Sequence, residues 1–509
     1  MNFNRLFDRL ISPIERLTTS LSDPDRRERT AAIVICGYVA LWALYGALAK
    51  SSQDIHPDMA ELASWSRELA LGYPKHPPLA SWAVAAWFAI FPAADWAFYL
   101  LGITTAGLAL WIAWRLSRDY LDPERRILGL ALLMLIPFFN FHALKFNHNT
   151  LLMPLWAVTT LCFLRSFELR NARWAALAGL SAAAAMYGKY WSIFLLAGLG
   201  VAALLDSRRV AYFKSAAPWI TVGVGAVLIA PHVAWFVAND FAPFFYAIET
   251  HTGSQLSSLR DAGQYLIGSI GYIALPVVLA LAVMRPSPAA LRDVFWPDEP
   301  RRRLVAVAFY APLILPAVTA PFFKFGISAL WSMSAWSLLP ILLLSSPLAA
   351  VHQRAMLTVV AIAAALPIAA VAAAPKIAAA IHRGDLDSTS THSSLLAQRV
   401  DLEWRAITKE PLHFVGGNDD LSDGVAFYLP SRPVALENPR LKISPWVPDK
   451  QRLLRTGMAI VCYSFDNRCV QRADRPNRNA PIPVEIVRTH RGVPGLPKRY
   501  TIILQPPVP

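Results

Sequence analysis

Charge is scarce in this chain. Only 16% of its 509 residues are Asp, Glu, Lys or Arg, while 55% are hydrophobic. Soluble domains carry about 25% charged residues, so an ordinary water-soluble globule is excluded. Acids are scarcer than bases, which leaves a formal net charge of +14. In a soluble protein that balance would suggest nucleic acid. Here the basic residues fall in short loops between apolar runs, and positive-inside membrane topology accounts for them without a nucleic-acid partner. Cysteine is rare as well. Cys36 and Cys162 lie within apolar runs and read as inert, while Cys462 and Cys469 lie close together in a polar C-terminal region. If that region is periplasmic, a disulfide between the latter two is feasible. A cleavable signal pattern is also missing: no small-residue cleavage site follows the first apolar run, near Ala31. No soluble domain with a phosphate or metal motif is visible, which argues against a nucleotide-sugar enzyme.

What the chain does have is apolar length. A spanning helix needs about 20 apolar residues. Runs near 31–49, 94–116, 127–144, 149–165, 174–188, 190–206, 218–237, 263–284, 304–321, 326–347 and 356–374 read as spans. Their number is odd, so the two termini face opposite sides. The segment 79–92 (LASWAVAAWFAIFP) is short, Trp-rich and ends in Pro. Read as an interfacial helix, it leaves every basic loop on the cytoplasmic side. Residues 1–30 then form a cytoplasmic amphipathic N-terminus and 31–374 the transmembrane domain, with 50–93 as its first periplasmic loop. Beyond 375 the pattern changes. Short apolar runs (HFVGG, GVAFYL, GMAIVCY, PVEIV, YTIIL) alternate with Pro, Asn, Asp and Arg. That fits a small periplasmic α/β domain over 375–509, reached through a linker that includes 387–394.

This topology gathers ionisable groups on the outer face. The first loop carries Asp58, Glu61, Lys75 and His76. The run HALKFNHNT gives His148 and Asn149, the turn YGKYW gives Lys189 and Tyr190, and His232 and Asp240 end the seventh span. Such groups at a bilayer are costly and point to function. Transfer of a sugar from a polyprenyl-phosphate carrier needs this set. Lys side chains at the interface stabilise the departing phosphate, and a carboxylate such as Asp58 takes the proton of the acceptor hydroxyl. Attack at C1 from the face opposite the leaving group inverts the anomeric configuration. Trp65, Trp82 and Trp87 hold the lipid headgroup level with these groups.

The order PD…SREL, GYPKHPPLASW, LKFNHNTLLMPLW and GKY, after a first membrane helix, resembles the GT-C glycosyltransferases of the bacterial protein-mannosyltransferase-like group, family 39 and its aminoarabinose-transferase relatives. The resemblance covers about 30–260. It implies a GT-C fold with about eleven spans and interfacial helices. It puts the first-loop catalytic Asp on Asp58 and the phosphate-contacting lysines on Lys75 and Lys189. Glu61, His76, His148, Asn149, Tyr190, His232 and Asp240 become donor or acceptor contacts. The family often has Asp-Glu at the first-loop position, where this chain has Met59 after Asp58. Its second acidic position, seven residues before a Trp, falls on Asn149, with Trp156 in register. A two-carboxylate metal site is therefore not indicated, and no cofactor is expected. The wording is most similar to the rhizobial branch that moves galacturonic acid from dodecaprenyl phosphate to lipopolysaccharide core or lipid A. An anionic sugar suits Asn149 and His148 better than another acid. The expectation is an inner-membrane enzyme with a polyprenyl-phosphate sugar donor and a lipid A, lipopolysaccharide or other envelope acceptor. The rivals are a protein O-mannosyltransferase and a lipid-linked sugar transporter or flippase, which would show inverted repeats.

Overall fold

The computed structural model describes residues 3–384, 392–436, 450–473 and 478–508. Residues 387–391 of the expected linker lie outside them. The chain divides into two compact units. One comprises Met1–Ala43, Lys75–Leu79 and Leu100–Ala370, the other Leu44–Pro74, Ala80–Tyr99 and Val371–Pro509.

The first unit is helical. Among the described residues of the whole chain, seven helices are long and apolar enough to cross a membrane: Arg27–Ala49, Asp95–Ser117, His148–Leu169, Ala217–Ala238, Gln255–Met284, Pro300–Phe323 and Gln353–Arg383. Each covers all or nearly all of one of the expected spans. The other four expected spans are shorter or interrupted. Ala172–Gly188 and Ser192–Leu205 are two short helices joined at Lys189. The run 127–144 forms an elbow: Pro123–Met134 and Pro137–Leu144 meet at 79°. The run 326–347 breaks into Ala329–Ser332, Trp336–Leu338 and Leu339–Leu344.

The elbow has a local cause. Pro137 brings no N–H and opens a new turn, and the carbonyls freed at the bend need donors inside an apolar medium. Asn140 Nδ2 donates to the carbonyls of Met134 at 3.1 Å and Ile136 at 3.0 Å. The Tyr38 hydroxyl lies 2.9 Å from the Met134 oxygen and 3.2 Å from that of Phe139. Gly102 lets the neighbouring helix approach closely, since a Cβ there would stand 2.1 Å from the Ala143 carbonyl oxygen.

The basic loops close their end of the helices with ion pairs. Arg126, only 2% exposed, reaches Glu28 at 3.3 Å and lies 3.9 Å from the Trp114 ring centre. Arg208 binds Glu168 at 2.8 Å and Asp206 at 2.9 Å. Arg302 binds Asp293 at 2.8 Å and the Ser345 hydroxyl at 3.0 Å.

The second unit contains the helix Pro57–Trp65 and, from Ala80 onward, the helix Leu79–Phe88. At about 1.5 Å per residue the latter spans about 15 Å, half of a bilayer core, which suits a helix lying at the interface. The C-terminal part is an α/β domain. Its strands are β1 (Phe414–Gly417), β2 (Val434–Leu436), β3 (Met458–Tyr463), β4 (Ile482–Ile486), β5 (Thr489–His490), β6 (Val493–Pro494) and β7 (Lys498–Gln505). The main sheet runs β2-β1-β3-β7-β4, with β1 parallel to β2 and β3, and β7 antiparallel to β3 and β4. Trp404, Leu421, Val461, Tyr500 and Ile502 fill one face. Gly417 ends β1 at φ 127°, a conformation that L side chains rarely adopt, and a Cβ there would meet the Val461 carbonyl. Cys462 on β3 is disulfide-bonded to Cys469 on the helix Asn467–Ala473. A buried acid anchors this unit. Asp54, its side chain 3% exposed, accepts from Arg488 at 2.5 Å and from the Ser394 hydroxyl at 2.7 Å and amide at 3.0 Å.

Candidate active site

Within the helical unit, the helix His148–Leu169 begins with a residue that organises its surroundings. Asn147 is the N-cap, and its Oδ1 accepts from the amides of Asn149 at 3.0 Å and Thr150 at 3.2 Å. The first turn, the positive end of the helix dipole, carries His148 and Asn149. His148 is buried, and its ring centre lies 4.0 Å from that of His76. Lys75, next in sequence, lies 6.0 Å from the Tyr246 ring centre.

Lys189 reaches the same helix end. The helix Ala172–Gly188 stops at Gly188, which packs closely on Leu152 (a Cβ would stand 2.9 Å from its side chain). The backbone then extends at Lys189 (φ −167°, ψ 139°) before the next helix starts. Lys189 Nζ donates to Asn149 Oδ1 at 2.7 Å and lies 4.7 Å from the Trp331 ring centre. Asn149 is a neutral partner. It positions the ammonium without cancelling its charge, whereas a carboxylate would do both. The His251 ring stands edge-on to Trp331 at 5.3 Å. Burial and then the nearby Lys189 charge lower the His251 pKa, which favours a neutral imidazole. Tyr190 and His232 pair at 3.0 Å between the hydroxyl and Nε2, and Trp235 stacks on the buried His232 ring at 5.7 Å.

These contacts link Lys189 with Asn149, His148 with His76, and Tyr190 with His232. Asp240 is exposed in a turn whose consecutive residues Asp240 (φ 54°) and Phe241 (φ 55°) are both left-handed. Such a conformation is strained for Phe and stored by order of 1 kcal/mol or more.

Asp58 and Glu61 belong to the second unit, on the helix Pro57–Trp65. Asp58 is in its first turn but is not its cap. His56 is, with Nδ1 accepting from the Asp58 amide at 3.1 Å. Asp58 Oδ1 lies 3.3 Å from the same nitrogen. Capping therefore does not account for the Asp58 carboxylate. Glu61, three residues on, is half-buried. Among the described residues, no group of three His, Cys, Asp or Glu stands together as metal ligands would.

Sequence reasoning missed His251, Trp331 and the capping role of Asn147. His251 lies between the expected spans 218–237 and 263–284, so its position was visible. Trp331 was hidden inside a run read as a straight span.

The fold defines the class: a multi-pass membrane protein of GT-C architecture with a C-terminal α/β domain. It is similar to the crystal structures of ArnT from Cupriavidus metallidurans in the apo state (TM-score 0.63) and bound to undecaprenyl phosphate (TM-score 0.62). Each match has 13% identity and covers 93% of this chain and 97% of the other. Residues 75–235 match the family described as dolichyl-phosphate-mannose-protein mannosyltransferase, PMT_2. A curated relative, the lipid A galacturonosyltransferase RgtD of Rhizobium johnstonii (strain DSM 114642 / LMG 32736 / 3841), is 23% identical over 256 residues. That stretch is 50% of this chain and 53% of the relative, so the likeness spans about half the length of each. The motif-based family resemblance is borne out.

Proposed function

We propose that the protein is an inverting glycosyltransferase of the bacterial inner membrane. It moves a sugar, galacturonic acid in our reading, from a polyprenyl-phosphate donor to lipid A or lipopolysaccharide on the periplasmic face. The N-terminus is cytoplasmic and the C-terminal domain periplasmic. The observation that carries the reading is Lys189, held 2.7 Å from Asn149 at the capped start of a long helix, with His148 on the same turn and the His76 ring 4.0 Å from it. A cation and a helix N-terminus together suit an anion such as a carrier phosphate.

In this mechanism the acceptor hydroxyl attacks C1, and the C1–oxygen bond to the phosphate breaks. Asp58 takes the hydroxyl proton. Lys75 and Lys189 balance the charge that builds on the departing phosphate. The likeness to ArnT bound to undecaprenyl phosphate and to the lipid A galacturonosyltransferase RgtD supports the donor and acceptor classes. The neutral Asn149 beside Lys189 supports an anionic sugar, because a carboxylate at that position would repel one.

The test is transfer by purified protein in membranes. Wild type with polyprenyl-phosphate galacturonic acid and truncated lipopolysaccharide should add one hexuronic acid by mass, and Asp58→Ala should not. A gain only with another lipid-linked sugar would remove the galacturonic assignment. The description of the matched family favours one second reading, protein O-mannosylation. A Ser/Thr peptide glycosylated in place of the lipid would establish it.

A further inference from the structure

The last membrane helix is longer than a hydrocarbon core. Gln353–Arg383 has 31 residues, about 46 Å at 1.5 Å per residue. A bilayer core is about 30 Å thick, and about 40–45 Å with its headgroups. The helix opens on the polar Gln353 and Arg354, which mark one headgroup level. Its final turn, with His382 and Arg383, reaches the other. That turn belongs to the second unit, which takes up the helix from Val371.

A hairpin of the same unit is fastened to that turn. Strands β5 and β6 pair Thr489 with Pro494 and His490 with Val493. Arg491 (φ 51°) and Gly492 (φ 80°) form the two-residue tip, both left-handed as a type I′ turn requires. His382 Nε2 donates to the Val493 carbonyl at 2.8 Å, and the His382 and His490 ring centres lie 5.5 Å apart. Gly495 permits this approach, since a Cβ there would stand 2.9 Å from His382 Cε1. Leu496 lies beside the helix end as well: a Cβ on Gly384 would stand 3.8 Å from its Cδ1. The composition is that of an interfacial segment. Residues 487–499 (VRTHRGVPGLPKR) hold four Arg or Lys and no Asp or Glu. Leu496 is 69%, Val493 52% and Val487 43% exposed. Arg488 is taken by Asp54, whereas Arg383 beside His382 and Arg491 at the tip are exposed. Water disfavours such apolar surface. At a headgroup layer the apolar side chains enter the acyl boundary and the cations meet lipid phosphates.

We infer that the β5–β6 hairpin anchors the C-terminal domain to the bilayer surface: Val493 and Leu496 dip into the lipid, and Arg491 binds anionic headgroups. The surface continues the lipid contact of the helix that carries His382. The inference needs only the membrane placement of that helix and stands apart from the transfer reaction.

The experiment reads depth on the full chain. Leu496→Cys is spin-labelled in a Cys36→Ser background, which leaves the buried Cys162 as the other free thiol. The protein is placed in nanodiscs of phosphatidylglycerol or of phosphatidylcholine. Val493→Cys gives a second, independent label, and melting like that of wild type shows that each variant folds. Oxygen, which concentrates among acyl chains, should relax both labels more than a water-borne nickel chelate does, and most in phosphatidylglycerol. Arg491→Gln should lower that oxygen-to-nickel ratio in phosphatidylglycerol by about fivefold, the weight of one basic residue at an anionic surface. Labels relaxed mainly by nickel put the hairpin in water and overturn the inference. Labels shielded from both reagents are covered by protein, such as a second copy of the chain, and overturn it too. Equal ratios in the two lipids, or an unaltered ratio in folded Arg491→Gln, overturn the headgroup contact.

Discussion

The two ends of the long helices hold charge in different ways. At the end carrying the basic loops, arginines meet carboxylates: Arg126 with Glu28, Arg208 with Asp206 and Glu168, Arg302 with Asp293. At the other end Lys189 meets an amide and an indole face, His232 a phenol, and His76 a second imidazole. A carboxylate partner fixes a cation and neutralises it. An amide partner fixes it and leaves its field intact. The first arrangement serves architecture; the second sets a lysine and two histidines against an amide and aromatic rings.

That contrast breaks most sharply at Lys189. Lys189→Ala should lower transfer by about 10²–10³-fold, as loss of a charge-stabilising donor does, with little change in melting. Initial rates at saturating acceptor check this. The opposite profile is expected at the other end. Glu28→Ala leaves the buried Arg126 without its carboxylate and should lower stability by about 2 kcal/mol. Activity per folded molecule should be retained, as read by thermal unfolding alongside the transfer assay.

The C-terminal domain adds a pH axis. Burial, then the charges of Arg488 and Lys498, lower the His392 pKa to about 4 from an ordinary 6.5. The unfolded chain therefore binds this proton first. The contribution of His392 is fully present above pH 6.5 and is lost as pH falls from 6.5 towards 4. Melting curves across that window should show the loss, and His392→Gln should flatten it. Asn149→Asp sharpens the comparison, because it puts a carboxylate where Lys189 now meets an amide at 2.7 Å. Apparent affinity for an anionic-sugar donor should weaken by about tenfold, about 1.4 kcal/mol, with a neutral-sugar donor affected less. Unchanged preference between the two donors would count against the anionic-sugar reading. The smallest effect is expected for Tyr190→Phe. It removes one hydrogen bond to His232 and should cost about 1 kcal/mol, visible as a modest change in melting.

Hydropathy made the helical unit legible, since each expected apolar run contains helix. It could not show where a run stops being straight. The stretch 127–144 is apolar but for Asn140 and His142, and its bend comes from Pro137 and from Asn140 folding back onto carbonyls. The stretch 326–347 likewise hid the tryptophan that carries Lys189. Among the site residues, Lys189 and Asn149 stood out individually, but their pairing joins residues 40 apart. The anchor Asp54 was missed because its partner Arg488 lies 434 residues away. No local pattern encodes such a contact.

The elbow at 134–140 also bears on how the chain is made. Its exposed carbonyls are met partly by Asn140, in the same segment, and partly by Tyr38, in the helix Arg27–Ala49. Synthesis runs from the N-terminus, so Tyr38 is already delivered when the elbow emerges. The first membrane helix thus acts as an assembly template for the broken one. A chain truncated before the elbow would still contain its template. A chain that began after residue 49 would have to insert the bend with the Tyr38 donor missing.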